Sequence, residues 1–154
     1  MRTSVDVHNH LVERDVHHEL FNLRGRLRTA EQIASVLDLP AEQVGKVVIL
    51  ETDKGPVAAI VGAGRSPDPD RVKETITASR VDTAPSPRAS ELSDYLAEAI
   101  PPVGLPSSLS VLMDEPLAKQ EVLYFHGGEA SAVLKVRGDD LARAADAIVA
   151  PISR

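Results

Sequence analysis

Few side chains in this sequence are placed where they could do chemistry. His8, His10, His17 and His18 crowd the first eighteen residues, and His8-Asn9-His10 spells a pattern found in some metal-dependent nucleases. The spacing supplies neither a pair on one helix face nor a third ligand at a defined distance, so a metal centre is not expected there. His126 stands apart from that group. It ends an apolar run just before Gly127-Gly128, and strand ends and their loops are where sites are often built. A structural histidine fits that position as well. Lys46 opens the apolar run GKVVIL. With Val47 and Ile49 on one face of a strand, Lys46 and Val48 take the other. The lysine then either snorkels to the surface or lines a cleft, where its cation could hold a phosphate or an ester oxyanion. Arg24, Arg26 and Arg28 in LRGRLR are either a solvated turn or a contact for RNA.

Other chemistries are excluded or unsupported. Cysteine is absent, which removes disulfides, thiolate nucleophiles and cysteine zinc sites. Gly62-Ala63-Gly64 lacks the third glycine and the spacing of a dinucleotide fingerprint, and neither a phosphate loop nor a serine elbow occurs. The net charge of −6 argues against a broad, non-specific nucleic-acid surface, though not against a local basic patch. No apolar run approaches the roughly 20 residues that cross a bilayer, and the polar N-terminus has no signal-peptide core. The expectation is one cytoplasmic domain spanning residues 1–154, with no cofactor and no membrane partner.

These residues need elements to position them. Residues 1–12 are expected to be loosely ordered, and 16–23 to form a strand. Residues 28–39 read as a helix, with Thr29 and Gln32 as a capping box, Ile33, Val36 and Leu37 on one face, and Pro40 as its stop. Residues 44–64 read as a β-hairpin turning at Asp53-Lys54-Gly55. Asp68 caps a helix with Pro69 at its first position, and 88–98 read as another helix. Three prolines and a glycine between 101 and 106 make a stiff loop. SLSVLMD reads as a strand, EVLYFHGG and SAVLKV as a strand pair around Gly127-Gly128, and residues 138–149 as a closing helix. The order is not a regular βαβ alternation, so the fold class expected is α+β: a mixed sheet with flanking helices.

Several of these segments, in this order, resemble the YbaK and prolyl-tRNA-synthetase-associated editing domains. Thr29 to Ala34 is similar to the family's early helix. Leu39-Pro40-Ala41-Glu42-Gln43-Val44-Gly45-Lys46 is similar to its "GVPPEQVVK" segment, with Lys46 on the characteristic lysine. Pro102-Val103-Gly104-Leu105-Pro106 resembles its "SPLGLP" pocket loop, Met113-Asp114-Glu115 its "DE", and Tyr124 to Gly128 its glycine-turn segment. The resemblance covers about residues 28–150. It implies a partly barrel-like mixed sheet and hydrolysis of the ester of a mischarged aminoacyl-tRNA, with tRNA for proline carrying a small amino acid the commonest pairing. It implies that Lys46 holds the terminal phosphate or ribose and that backbone amides around Gly104 hold the amino-acid end or the oxyanion. Pro102, Val103, Leu105, His126, Gly127 and Gly128 would line the substrate site. The implied partners are the aminoacyl-tRNA acceptor end and a tRNA synthetase. A non-catalytic module binding a tRNA end or a synthetase is the alternative. Glu98-Ala99-Ile100-Pro101 stands where relatives usually carry a glycine, and Ser131-Ala132-Val133 where many carry an acidic residue or histidine.

Overall fold

The computed structural model describes residues 1–154 as two β-sheets with helices laid against them. A helix, α1 (Ser4–Glu13), forms where a loosely ordered start was expected. Thr3 caps it, and Asp6 reaches back to the Thr3 N–H at 2.8 Å, a reciprocal capping box. Val7 and Leu11, four residues apart, are fully buried. A stripe only two residues wide among polar neighbours gave little periodicity to detect. Strand β1 (His18–Asn22) follows, then α2 (Ala30–Leu37), capped by Thr29 and Gln32 as the spacing predicts. Its inner face is Ala30, Ile33, Ala34 and Leu37. Val36 lies outside that stripe and is 59% exposed.

The hairpin is β2 (Gly45–Thr52) and β3 (Gly55–Gly62), in register from Gly45↔Gly62 to Thr52↔Gly55, so Asp53-Lys54 makes a two-residue turn. Asp68 caps α3 (Pro69–Ile76). The short β4 (Val81–Thr83), unpredicted, pairs with β2. Helix α4 (Ser86–Ser93) is shorter than expected and ends at Asp94 in a left-handed conformation, leaving Ala97–Ala99 as a 3-10 turn. Then come β5 (Ser110–Asp114), α5 (Glu115–Ala118), β6 (Leu123–His126), β7 (Ala132–Val136), α6 (Gly138–Ala144) and β8 (Ile148–Ala150). The single closing helix expected over 138–149 is thus a helix and a strand. Asp146 has φ 50° and the Ala147 N–H bonds back to the Ala142 carbonyl, which ends the helix and turns the chain alongside β5.

The larger sheet runs β4-β2-β3-β5-β8. Its first three strands pair antiparallel and its last three parallel. The smaller is the antiparallel sheet β1-β7-β6. A bridge between Val44 and Tyr124 links them, and they do not close into a barrel. The main core lies between the sheets, with Ile49, Ala58, Ile60 and Met113 facing Leu123, Phe125, Leu134 and Val136. The alternate residues Val57, Ala59 and Val61 face Val72 and Ile152 on the other side, so β3 is buried on both faces. Buried Asp114 accepts hydrogen bonds from the Ile152 and Ser153 N–H groups and the Ser153 hydroxyl, which pins the C-terminal segment. No helix is long and apolar enough to cross a membrane.

Candidate functional site

Lys46 takes its position from the residue before it. A Cβ at Gly45 would lie 2.3 Å from Phe125 Cε1, so only glycine lets β2 start this close to β6. The next residue, Lys46, is half-buried at the mouth of a cleft of about 220 Å3. Its neighbours in the cleft are Val47, Arg28, Glu98, Ile100 and His126. Lys119 and Lys135 hold Glu115 and Glu19, whereas Lys46 forms no ion pair. An uncommitted ammonium beside an apolar floor of Val47 and Ile100 is suited to hold an anion or a developing oxyanion. The volume falls below the ~300–1,000 Å3 of pockets that enclose drug-sized ligands, so it suits a small group.

His126 ends β6 and is 6% exposed. Its Nε2 lies 2.8 Å from the Leu27 carbonyl oxygen, which can only accept, so the ring hydrogen sits on Nε2. Nδ1 keeps its lone pair. It makes no hydrogen bond within the protein. Burial pushes the His126 pKa below the ordinary imidazole value. The Leu27 carbonyl and the Glu98 charge pull the other way without reversing it. The ring is therefore neutral at neutral pH, and a weaker base than a free imidazole. Glu98 sits on the 97–99 turn, its carboxylate held by Arg26.

The 101–106 loop lines a different cleft, of about 370 Å3, which Pro102, Val103, Gly104 and Leu105 share with His10 of α1 and Arg14, the residue that ends it. The Gly104 carbonyl accepts from the Tyr95 hydroxyl at 2.8 Å and from Arg2 Nη1 at 2.9 Å. Gly104 has φ +72°, and a Cβ there would lie 2.9 Å from the Tyr95 hydroxyl and 3.3 Å from the Asp6 carbonyl. Gly127 packs on Leu20, and Gly128, at φ +96°, packs on the Thr3-Ser4 backbone. The structure thus joins Lys46 and His126 in one cleft and sets Pro102, Val103, Gly104 and Leu105 in another. Gly127 and Gly128 lie beneath β1 and the start of α1. Ile100 lines the first cleft and Pro102 the second, and no residue of the 101–106 loop lines the Lys46 cleft.

Glu98 and Ile100 were not among the expected site residues, and Arg28 was expected only as a solvated turn or a contact for RNA. For Arg28 the signal was the basic run LRGRLR just before the Thr29 cap of α2. Val133 is fully buried among Ile33, Val44 and Ala63, an apolar environment with no place for a polar partner. Three of the four early histidines make hydrogen bonds within the protein, and His17 is exposed. His8 Nδ1 is 3.0 Å from His18 Nε2, and His10 Nε2 donates to the Ala144 carbonyl at 2.7 Å. No group of three or more potential metal-ligating side chains forms.

The family model for the aminoacyl-tRNA editing domain matches residues 25–144, and the chain belongs to that family. The fold is shared with the hypothetical protein APE2540, at TM-score 0.91 and 24% identity over 97% of this chain and 99% of the other. It is shared with a protein proposed as a trans-editing enzyme for prolyl-tRNA synthetase, at TM-score 0.88 and 21% identity over 100% and 98%. A third likeness, at TM-score 0.69 and 14% identity, is to a proposed signal transduction protein from Marinobacter aquaeolei VT8. It covers 97% of this chain and 30% of that one, so there the fold is one part of a larger protein.

Proposed function

We propose that this chain hydrolyses the ester of a mischarged aminoacyl-tRNA in trans, with tRNA for proline carrying a small non-cognate amino acid as the leading substrate. The observation that carries this reading is the pairing of an unpaired Lys46 ammonium with a neutral His126, whose Nδ1 is free, in one small cleft of an editing-family chain. Water adds to the ester carbonyl carbon and gives a proton to His126 Nδ1. Lys46 stabilises the oxyanion or holds the terminal phosphate. The carbon–oxygen bond to the ribose then breaks, and the proton returns to the ribose oxygen, releasing the amino acid and uncharged tRNA. Gly104 and its neighbours, in the separate cleft, take no part in this step. The aminoacyl-tRNA acceptor end is the partner, and a synthetase that supplies it is a second.

The test is a deacylation assay on a panel of mischarged tRNAs. Lys46→Ala should lower kcat/KM on the best substrate by about 100-fold or more, in line with the loss of one oxyanion donor. Equal rates for variant and wild type would remove Lys46 from the mechanism. The separation of Gly104 from Lys46 favours a second reading, a binding module without turnover. Saturable binding of an aminoacylated RNA end with no hydrolysis of any panel member would establish it.

A further inference from the structure

The Lys46 cleft has a neighbour. A chamber of about 430 Å3 opens beyond Ala97 and Glu98, and Arg28, Ala97 and Glu98 border both spaces. Arg26, Ser86 and Leu96 complete the outer one. Arg26 is committed to Glu98, but Arg28 is exposed and has no carboxylate, and the same holds for Arg24. Seven arginines elsewhere each hold a carboxylate. In a chain with 23 acidic residues, two guanidiniums on one short segment that hold no carboxylate favour an anionic ligand there. Buried Leu27 pins this segment, and the Leu27 carbonyl also holds His126. The backbone that carries Arg26 and Arg28 is thereby fixed relative to the cleft. Leu96, 41% exposed, offers an apolar surface at the same chamber.

Cation, hydroxyl and apolar surface, continuous with a site for an RNA 3′ ester, match the repeating phosphate, ribose and base of a single strand. We propose that the outer chamber binds the nucleotide preceding the esterified terminal nucleoside, with its base on Leu96, its phosphate at Arg28, and the next phosphate outward at Arg24. The proposal rests on reading the inner cleft as an ester site at an RNA 3′ end.

Two measurements test it. The first is fluorescence anisotropy of an uncharged RNA trinucleotide against salt. Leu96→Ser should weaken binding about fivefold, the equivalent of a partly buried leucine surface. Arg24→Ala and Arg28→Ala should each lower the slope of log K against log salt by about 0.7. Unchanged affinity and slopes overturn the chamber. The second is hydrolysis of aminoacyl esters of a single nucleoside and of the trinucleotide. Wild type should show a lower KM for the trinucleotide, and Leu96→Ser should erase that gain while leaving the mononucleoside rate unchanged. An equal gain in both proteins overturns the proposal. If neither ester is hydrolysed while trinucleotide binding still depends on Leu96 and the arginines, the chamber stands and the deacylase reading falls.

Discussion

Gly45→Ala links the packing of the two sheets to the position of Lys46. The added methyl would meet Phe125 Cε1 at 2.3 Å and Cζ at 2.6 Å. Ordinary carbon contacts lie near ~3.5–4.0 Å, so ring or strand must shift by about 1 Å. The ring has nowhere to go, because Phe125 is fully buried in the main core. Overpacking of this kind costs about 1–3 kcal/mol. Alanine recovers roughly 0.5–1 kcal/mol by restricting the unfolded chain, since Gly45 needs no left-handed backbone. The net loss is up to about 2.5 kcal/mol, or a Tm lower by up to about 10 °C at this chain length. Urea unfolding of Gly45→Ala, Phe125→Leu and the double variant completes the cycle. Once the ring is shortened the methyl has room, so the double variant should be more stable than the sum of the single losses, by about 1 kcal/mol or more. Lys46 follows directly in the chain, and a misplacement of about 1 Å can cost about 100-fold in rate. Deacylation should therefore fall in Gly45→Ala and recover in the double variant. Strictly additive losses would refute the claim that Gly45 is there to admit the Phe125 ring.

Tyr95→Phe removes one of two donors to the Gly104 carbonyl. Arg2 still satisfies that oxygen, so the loss should be only about 1 kcal/mol by urea unfolding, rising more than additively when Arg2→Ala is added. His126 sets a pH dependence. Its pKa is lowered in the folded chain, so both states are neutral above the ordinary imidazole value and stability there is complete. As pH falls below about 6.5, the unfolded chain binds the proton more readily, and stability is lost towards the lower folded pKa. Urea midpoints between pH 7.5 and 5 should fall more steeply for wild type than for His126→Asn. The deacylation rate should fall over the lower part of the same range as Nδ1 gains its proton.

What the sequence disclosed follows the range of the interactions involved. Thr29 with Gln32, Asp68 with Pro69, and the 44–64 hairpin are set within a few residues, and each formed as expected. Strand β8 is held by β5, more than thirty residues earlier, and reads locally as the tail of a helix. Helix α1 depends on burial of Val7 and Leu11 against partners over ninety residues away, such as Val103. Lys46 came forward from its neighbours in sequence. Its pairing with His126 needed the sheets to meet, and the glycines at 104, 127 and 128 are explained by packing that no local pattern encodes.

That packing also orders events during synthesis. Arg2 reaches the Gly104 carbonyl across 102 residues, and Ser4 reaches Glu129 across 125. At about 5–20 residues per second, the ribosome needs roughly 6–25 s to travel from Ser4 to Glu129. Until that interval ends, α1 lacks part of the surface against which Val7 and Leu11 are buried. The segment that lies over both glycine loops in the finished protein is among the first parts made and can complete its docking only late.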